Sequence, residues 1–202
     1  MMESGFFDRH PKLRDSFGLV VFVIGVIIGT IFINSFIFRN FTVQGASMEP
    51  TMHTGDRLIV NRIPVTISQL QNKPYTPERG QTIVFKNPNF NAGTNRDEYI
   101  VKRVIAFAGE RVTVKDGVVT VYTADKPEGF NPDPTINKDE PGQPTSGDVD
   151  TVVSEGTIFV MGDHRQGNHS CDSRSCMGNI PLFDVIGPVS VRIWPLTKIR
   201  TF

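Results

Sequence analysis

A serine and a lysine are the residues of this sequence whose types and surroundings could support nucleophilic catalysis. Ser47 lies in a small, bend-prone stretch after Gly45 and Ala46, and Lys102 lies in the apolar run 100–105. A serine hydroxyl is a weak nucleophile and needs an adjacent base. A lysine, with a free pKa of about 10.4, serves only where burial favours its neutral amine. The pair therefore predicts a Ser-Lys dyad of the kind that cleaves peptide bonds.

Taken alone, the residues around Ser47 favour an ordinary turn, since Ser, Gly and Pro are common turn residues. Gly45 would let a substrate backbone approach closely, and Pro50 restricts the chain just beyond. Strand alternation puts Lys102 and Arg103 on opposite faces but leaves open which of them points inward. The dyad hypothesis therefore depends on motifs elsewhere in the chain.

Several short segments, taken in order after an N-terminal apolar run, carry a family resemblance. They are Ser47–Thr51 (Ser-Met-Glu-Pro-Thr), Gly55–Val60, Arg79–Phe85, Tyr99–Ile105, and Met161–Arg165 with Ser170–Arg174. In this order and spacing they resemble bacterial type I signal peptidases, the Ser-Lys peptidases of family S26. Each segment is weakly specific, whereas the ordered set is highly specific. The resemblance covers residues 17 to about 194, except for residues 127–150.

The resemblance implies a role for several residues of these segments. Ser47 matches the nucleophile of the family and Lys102 matches its general base. Ser170 matches a serine that hydrogen-bonds the lysine amine and holds it toward the nucleophile. Asp172 and Arg174 match an ion pair that supports the site from behind.

The sequence departs from the family pattern at three places. His164 stands where the family often has Asn, and the loop 166–169 makes the spacing between Arg165 and Ser170 two residues longer than usual. Gly45 occupies the position where some members supply a serine hydroxyl to the oxyanion hole. The second oxyanion donor would here be a backbone N–H or be missing, while the Ser47 N–H remains the first.

The implied activity is that of a membrane-bound serine endopeptidase that cleaves signal peptides from exported preproteins, with no metal or organic cofactor. The substrate would bind as an added β-strand beside Phe41–Gln44 and Ile100–Val101. Shallow apolar pockets would accept small side chains at the first and third positions before the cut. The residues expected to line these pockets are Phe41, Val43, Met48 and Ile59.

Residues 17–38 carry no charge and are long enough, as a helix, to cross a bilayer of about 30 Å. A cleaved signal peptide would have a shorter apolar core that ends at small residues, whereas bulky residues follow here. Three basic residues precede the segment and one closely follows it. The positive-inside rule then places residues 1–16 in the cytoplasm and residues 39–202 outside the cell membrane.

Short β-branched runs separated by Gly and Pro follow the anchor and predict one mainly β domain. Combined with the resemblance, they indicate an antiparallel sheet or partial barrel of the signal-peptidase type. Asp116-Gly117 predicts a hairpin turn, residues 67–71 one helical turn, and the apolar-poor segment 127–150 a surface excursion. The predicted strands are Arg57–Val60, Thr82–Phe85, Ile100–Ile105, Arg111–Val114, Val118–Tyr122, Thr157–Met161 and Val185–Trp194.

The histidines and cysteines allow other interpretations. One is a loose zinc-like cluster, although its spacing fits no common structural site; its members are His164, His169, Cys171 and Cys176. The two cysteines could equally form a disulfide or remain free thiols. A triad of Ser47, His164 and a neighbouring aspartate is a further alternative. The apolar surroundings of Lys102 favour the lysine form.

Two further classes of protein compete with this hypothesis. One is a membrane-tethered β domain that binds envelope partners, with Ser47 only a turn residue. The other is the self-cleaving repressor peptidases, which also use a Ser-Lys dyad on a similar β fold. The anchor and the lack of a DNA-binding helix-turn-helix disfavour the repressors. Equal numbers of basic and acidic residues, 21 of each, also predict no nucleic-acid partner.

Overall fold

The computed structural model describes residues 11–90, 98–136, 143–167 and 169–202, and its first described element is an apolar helix. Helix α1 (Pro11–Phe32) continues into a π-helical turn, Ile33–Ile37. The 23 residues from Asp15 to Ile37 are apolar enough to cross a membrane, and none of that stretch is buried against the protein. At 1.5 Å per residue they span about 35 Å. The helix thus begins before the predicted segment, and Phe38 already belongs to a strand.

The rest of the described chain is mainly β, and each strand predicted from the sequence is present within two residues of its predicted ends. The strands are β1 (Phe38–Thr42), β2 (Arg57–Asn61), β3 (Thr82–Lys86), β4 (Tyr99–Phe107), β5 (Arg111–Lys115), β6 (Val118–Tyr122), β7 (Val149–Val152), β8 (Thr157–Met161), β9 (Ile180–Pro181), β10 (Val185–Trp194) and β11 (Arg200–Thr201). Two short helices, α2 (Ile63–Leu70) and α3 (Asp133–Ile136), lie between them. Strands β1, β7, β9 and β11 are not among the strands predicted from the sequence.

The strands form a curled antiparallel sheet, a half-barrel, in the order β1-β2-β10-β3-β4-β8-β9, with β11 also paired to β10. A second sheet has the order β6-β5-β7. Strand β10 joins the two halves of the large sheet, because its first residues pair with β3 and its last residues pair with β2. Register shifts in both pairings mark bulges, which bend a sheet. The predicted fold class is confirmed.

The core lies on both sides of this curled sheet. Strands β4 and β8 pack against the small sheet through residues such as Ile105, Val121 and Phe159. A second apolar cluster contains Met48 and Met52, which are fully buried. These two methionines therefore belong to the core and do not reach a lipid surface, the alternative that the sequence left open.

The excursion 127–150 is more closely packed than its composition predicted. Asp133 of α3 and Thr145 are buried, and the last two residues of the excursion begin β7 beside β5. The expectation of a surface segment is therefore wrong at these positions. Residues 137–142 lie outside the described chain.

Gly187 allows β10 to pass close to β2 at the bend of the sheet. A Cβ atom at this position would collide with the carbonyl oxygen of Asn61 and would lie 3.0 Å from Cγ1 of Val60. Because backbone atoms cannot move aside as a flexible side chain can, Gly187→Ala is expected to lower the free energy of unfolding by about 1–3 kcal/mol. Urea unfolding of the detergent-solubilised protein measures this change. Val152→Ala, at an exposed position of β7, is the control, and an unchanged midpoint for Gly187→Ala would contradict the packing argument.

Candidate active site

Ser47 lies in a tight turn between β1 and β2. The Glu49 N–H donates to the Ala46 carbonyl at 3.1 Å, and the Met52 N–H donates to the Met48 carbonyl at 2.9 Å. The fully buried Met48 side chain fixes the turn to the core beneath it. This packing leaves the half-buried Ser47 beside the cleft described below.

Lys102 lies on β4, opposite Ile83 of β3, and its Nζ is 2.5 Å from Oγ of Ser47. The structure therefore brings together the two residues predicted to form the dyad. Only 3% of Lys102 is exposed. Arg103, on the opposite face of the strand, is also buried. The sequence left open which of these two side chains points inward, and in the structure both do.

Burial lowers the pKa of Lys102 to about 8 from its ordinary 10.5. The negative charges of Asp172 and Asp163 act in the opposite direction and raise this pKa, while the Arg174 charge lowers it. Desolvation dominates because water is the best solvent for an ammonium ion. At mildly alkaline pH much of the amine is neutral and can accept the Ser47 proton.

Asp163 connects β4 to the turn that carries Ser47. Its carboxylate accepts hydrogen bonds from Nε and Nη2 of Arg103, at 2.8 and 2.6 Å, and from the Thr51 hydroxyl at 2.6 Å. Both Asp163 and Arg103 are buried. This bidentate ion pair holds Lys102 and Ser47 in a fixed relation, because Arg103 adjoins the lysine and Thr51 lies four residues after the serine.

Asp172 lies at the centre of a second group of polar contacts behind the dyad. It accepts bonds from Nη2 of Arg174 at 2.8 Å, from the Gly162 N–H at 3.0 Å and from the Ser170 hydroxyl at 2.7 Å. Burial alone would raise the pKa of Asp172, but Arg174 and these donors lower it. The ion pair implied by the resemblance is present. The Ser170 hydroxyl donates to Asp172, and the described contacts do not include the expected bond to the Lys102 amine.

Gly162 is a site residue to which the sequence reasoning assigned no role. A Cβ atom here would collide with the carbonyl oxygen of Ser47 and with the Ser170 hydroxyl. The Ser47 carbonyl also accepts a bond from the His164 N–H at 3.1 Å. The glycine in the Met-Gly-Asp segment was the available signal, since a glycine often marks a close approach of two backbone segments.

Gly45 has a φ of +86°, and a Cβ atom there would meet nothing within 4 Å. Glycine is therefore favoured here by the backbone conformation and not by a lack of space for a side chain. Its carbonyl accepts a bond from the Thr54 hydroxyl at 3.2 Å. Within the described chain the Ser47 N–H makes no backbone hydrogen bond, so it can donate to an oxyanion.

A cleft of about 360 Å³ lies beside the dyad, between β1 and the first half of β4. Among the described residues, β1 pairs only with β2, and β8 pairs with β4 only from Arg103 onward. Two strand edges with free hydrogen-bonding groups therefore border the cleft. The lining residues are Phe41, Thr42, Val43, Gln44, Ser47, Leu58, Val84, Glu98, Tyr99, Ile100, Val101, Lys102, Cys171 and Met177.

Two of the four predicted pocket residues line this cleft and two do not. Phe41 and Val43 line it. Met48 is not among the lining residues, and its side chain lies in the core under the turn. Ile59 is not among them either, because successive side chains of a strand point to opposite faces and Leu58 of β2 takes the position facing the cleft.

His164 does not contact the Ser47 hydroxyl. Its Nδ1 is 3.2 Å from the Ala46 carbonyl oxygen, and its ring stacks on His169 with centroids 4.5 Å apart. Cys171 and Cys176 form a disulfide with Cα atoms 5.4 Å apart. Because both cysteines are in the disulfide, they offer no thiolates to a zinc ion. The position next to the Ser47 hydroxyl is occupied by Lys102 and not by His164, which argues against the triad.

A serine hydroxyl beside a buried lysine amine, on a half-barrel that follows a membrane-length helix, defines a membrane-anchored serine peptidase. The family model described as signal peptidase, peptidase S26, matches residues 14–194. The chain belongs to this family.

Two named bacterial relatives agree with that assignment. Signal peptidase I of Bacillus licheniformis is 29% identical over 190 residues, covering 94% of each chain. Signal peptidase I T of Bacillus subtilis (strain 168) is 31% identical over 179 residues, covering 88% of this chain and 84% of the relative. A crystal structure of a signal peptidase I from Enterococcus faecalis V583 matches 57% of this chain and 97% of its own, with 24% identity and a TM-score of 0.41.

The close approach at Gly162 gives a prediction about the nucleophile. Gly162→Ala is expected to slow acylation of Ser47 by a reactive inhibitor roughly 100-fold, because a displacement of about 1 Å at a reacting group can cost that much. Inhibitor labelling followed by mass spectrometry measures the rate. Ser175→Ala, at an exposed position of the same loop region, is the control and should react like the parent. Labelling of Gly162→Ala at the parental rate would show that the turn can adapt.

The lowered pKa of Lys102 gives a prediction for pH dependence. The rate of Ser47 acylation should rise with pH and level off above a midpoint near 8, because only the neutral amine accepts a proton. The amine has a lower pKa folded than unfolded, so the free energy of unfolding should also rise between pH 8 and 10.5. Labelling rates and urea unfolding across this range measure the two effects. A labelling midpoint near 10.5 would show that the amine is solvated.

Proposed function

We propose that this protein removes N-terminal signal peptides from exported preproteins, with Ser47 as nucleophile and Lys102 as general base. The observation that carries the proposal is the 2.5 Å distance between Nζ of a buried lysine and Oγ of a serine at the side of an open cleft. The substrate class comes from the names of the relatives and of the family.

In the proposed reaction the neutral Lys102 amine takes the hydroxyl proton of Ser47 while Oγ attacks the scissile carbonyl carbon. The C–N bond then breaks, and the Lys102 ammonium gives its proton to the departing amine of the mature protein. This leaves the signal peptide as an ester on Ser47. The Lys102 amine, neutral again, takes a proton from a water molecule whose oxygen attacks the ester carbonyl. The bond from the carbonyl carbon to Oγ breaks, and the Lys102 ammonium returns the proton to Oγ of Ser47.

The oxyanion of the tetrahedral intermediate forms beside the N-terminal side of the serine turn. The Ser47 N–H is the available donor there, and Gly45 offers no side-chain hydroxyl. Removing one preorganised donor of this kind by mutation lowers the rate about 10²–10³-fold. The second donor in this proposal is a backbone N–H of the turn.

The cleft supports binding of an extended peptide between the free edges of β1 and β4. Residues Phe41–Gln44 on one side and Tyr99–Lys102 on the other line it. A peptide that adds to such edges gains main-chain hydrogen bonds, and alternate side chains enter pockets. Phe41 and Val43 stay the proposed pocket residues, and Leu58 takes the place that Ile59 had in the sequence prediction.

The end of the anchor is attached to the catalytic domain, which sets the distance of the site from the bilayer. The Arg62 Nε donates to the Ser35 carbonyl at 2.7 Å, and the Thr66 hydroxyl donates to the Phe36 carbonyl at 2.9 Å. Strand β1 then leads directly to the Ser47 turn. We place residues 1–16 in the cytoplasm and the catalytic domain outside the cell membrane, from the distribution of basic residues around the helix.

The test is cleavage of an exported precursor by the detergent-solubilised full chain, with the cut mapped by mass spectrometry. Lys102→Met should lower the rate roughly 10²–10⁴-fold, the contribution of a general base, and Ser47→Ala should abolish cleavage. Lys115→Met, at an exposed lysine on β5, is the matched control and should cleave normally. Substantial cleavage by Lys102→Met would refute the base assignment, and a parent protein that cuts no precursor would refute the proposed function.

A further inference from the structure

The excursion 127–150 contributes a buried carboxylate to the region of the active site. Asp133 of α3 accepts two hydrogen bonds from the Arg165 guanidinium, at 2.9 Å from Nη1 and 2.8 Å from Nη2. The side chain of Arg165 is 0% exposed and that of Asp133 is 2% exposed. This bidentate pair joins the excursion to the Met161–Arg165 segment, and neither the catalytic mechanism nor the family resemblance uses Asp133.

The same guanidinium also contacts the backbone next to the dyad. Nε of Arg165 donates to the Gly162 carbonyl at 2.8 Å. Gly162 is the residue that approaches the Ser47 carbonyl and the Ser170 hydroxyl too closely for any side chain. Its N–H donates to Asp172 at 3.0 Å. A continuous series of contacts therefore runs from Asp133 through Arg165 and Gly162 to Ser47.

Further hydrogen bonds hold the excursion against the same segment. The Ser146 N–H donates to the Arg165 carbonyl at 2.9 Å, and the Ser146 hydroxyl accepts from the Gly167 N–H at 2.8 Å. Nη1 of Arg174 donates to the carbonyls of both Ser146 and Arg165, at 3.0 and 3.1 Å. The excursion thus contacts both arginines that lie behind the dyad.

The charge on Asp133 determines where the Arg165 side chain can lie. A buried guanidinium without a counter-ion is strongly unfavourable, whereas a paired one with its donors satisfied is tolerated. Asp133 satisfies donors on two of the nitrogens, and the Gly162 carbonyl accepts from the third. Without the carboxylate, Arg165 would move toward water and release Gly162.

We propose that Asp133 is a positioning residue for catalysis: its ion pair with Arg165 holds Gly162 against the Ser47 turn. The excursion is therefore part of the catalytic apparatus and not an appendage of the domain. This inference rests on the proposed function. It adds to that function a residue outside every segment that carried the family resemblance.

The test compares Asp133→Asn with Asp150→Asn in the full-length, detergent-solubilised protein. Asp150 lies in the same excursion and also pairs with an arginine, Arg111, but that pair is exposed and lies on the small sheet, on β7 and β5. Asp133→Asn should lower kcat for precursor cleavage roughly 10- to 100-fold with KM changed less than about threefold, as for a displaced reacting group. Asp150→Asn should leave both unchanged.

The pH profile separates positioning from a merely structural role. If Gly162 withdraws its N–H from Asp172, that carboxylate is less neutralised and favours the Lys102 ammonium more strongly. The midpoint of Ser47 labelling should then move to higher pH in Asp133→Asn. A structural role alone would reduce the amount of active protein and leave the midpoint unchanged. Parental kcat, or a lowered kcat with an unchanged midpoint, overturns the proposal.

A second variant applies if Asp133→Asn does not fold. Asp133→Glu keeps the buried charge but moves the carboxylate by one methylene group. A folded Asp133→Glu with slowed Ser47 labelling and a raised midpoint supports the proposal, and one that labels like the parent overturns it. Precursor cleavage by the parent protein is measured alongside the variants. If the parent cleaves the precursor and the variants behave like it, only this inference fails; if the parent does not cleave, the proposed function fails and the inference fails with it.

Discussion

The structure depends on one unfavourable condition, the removal of a lysine amine from water. Lys102 is useful as a base only when it is neutral at the pH of the reaction, and burial is the largest cause that lowers its pKa. Burial requires apolar packing on both sides of β4, which the curled sheet and the small second sheet provide. The cleft is lined by both Ser47 and Lys102, yet only 3% of Lys102 is exposed.

The buried carboxylates near this amine present a conflict that the arginines resolve. Asp172 and Asp163 each raise the pKa of Lys102, and two unpaired negative charges there would stabilise its ammonium form. Each carboxylate instead has its own bidentate arginine, Arg174 or Arg103. The ion pairs hold the loops together without supplying a counter-ion to the lysine. Rigidity of the site and neutrality of the base are thus achieved by the same contacts.

The sequence was sufficient to predict the strands, which leave local signals, and the pairing of Ser47 with Lys102, which the ordered segments indicate together. Alternating apolar residues marked β2 to β6, β8 and β10, and the ordered segments marked Ser47 and Lys102. It was insufficient where a side chain depends on a distant partner. Alternation predicts that one of Lys102 and Arg103 faces water, since the rule assumes a sheet with one wet face. Here both faces are covered, and Arg103 is compensated by Asp163, a residue 60 positions away.

Asp133 shows the same limit in a segment that composition describes poorly. Residues 127–150 contain few apolar side chains, and on that basis they predict a surface loop. Composition measures how much a segment can contribute to an apolar core, and a buried ion pair contributes nothing to that measure. The excursion is instead held by polar contacts to Arg165 and Arg174. A polar segment can therefore be an integral part of a folded site when the residues it meets are buried charges that require partners.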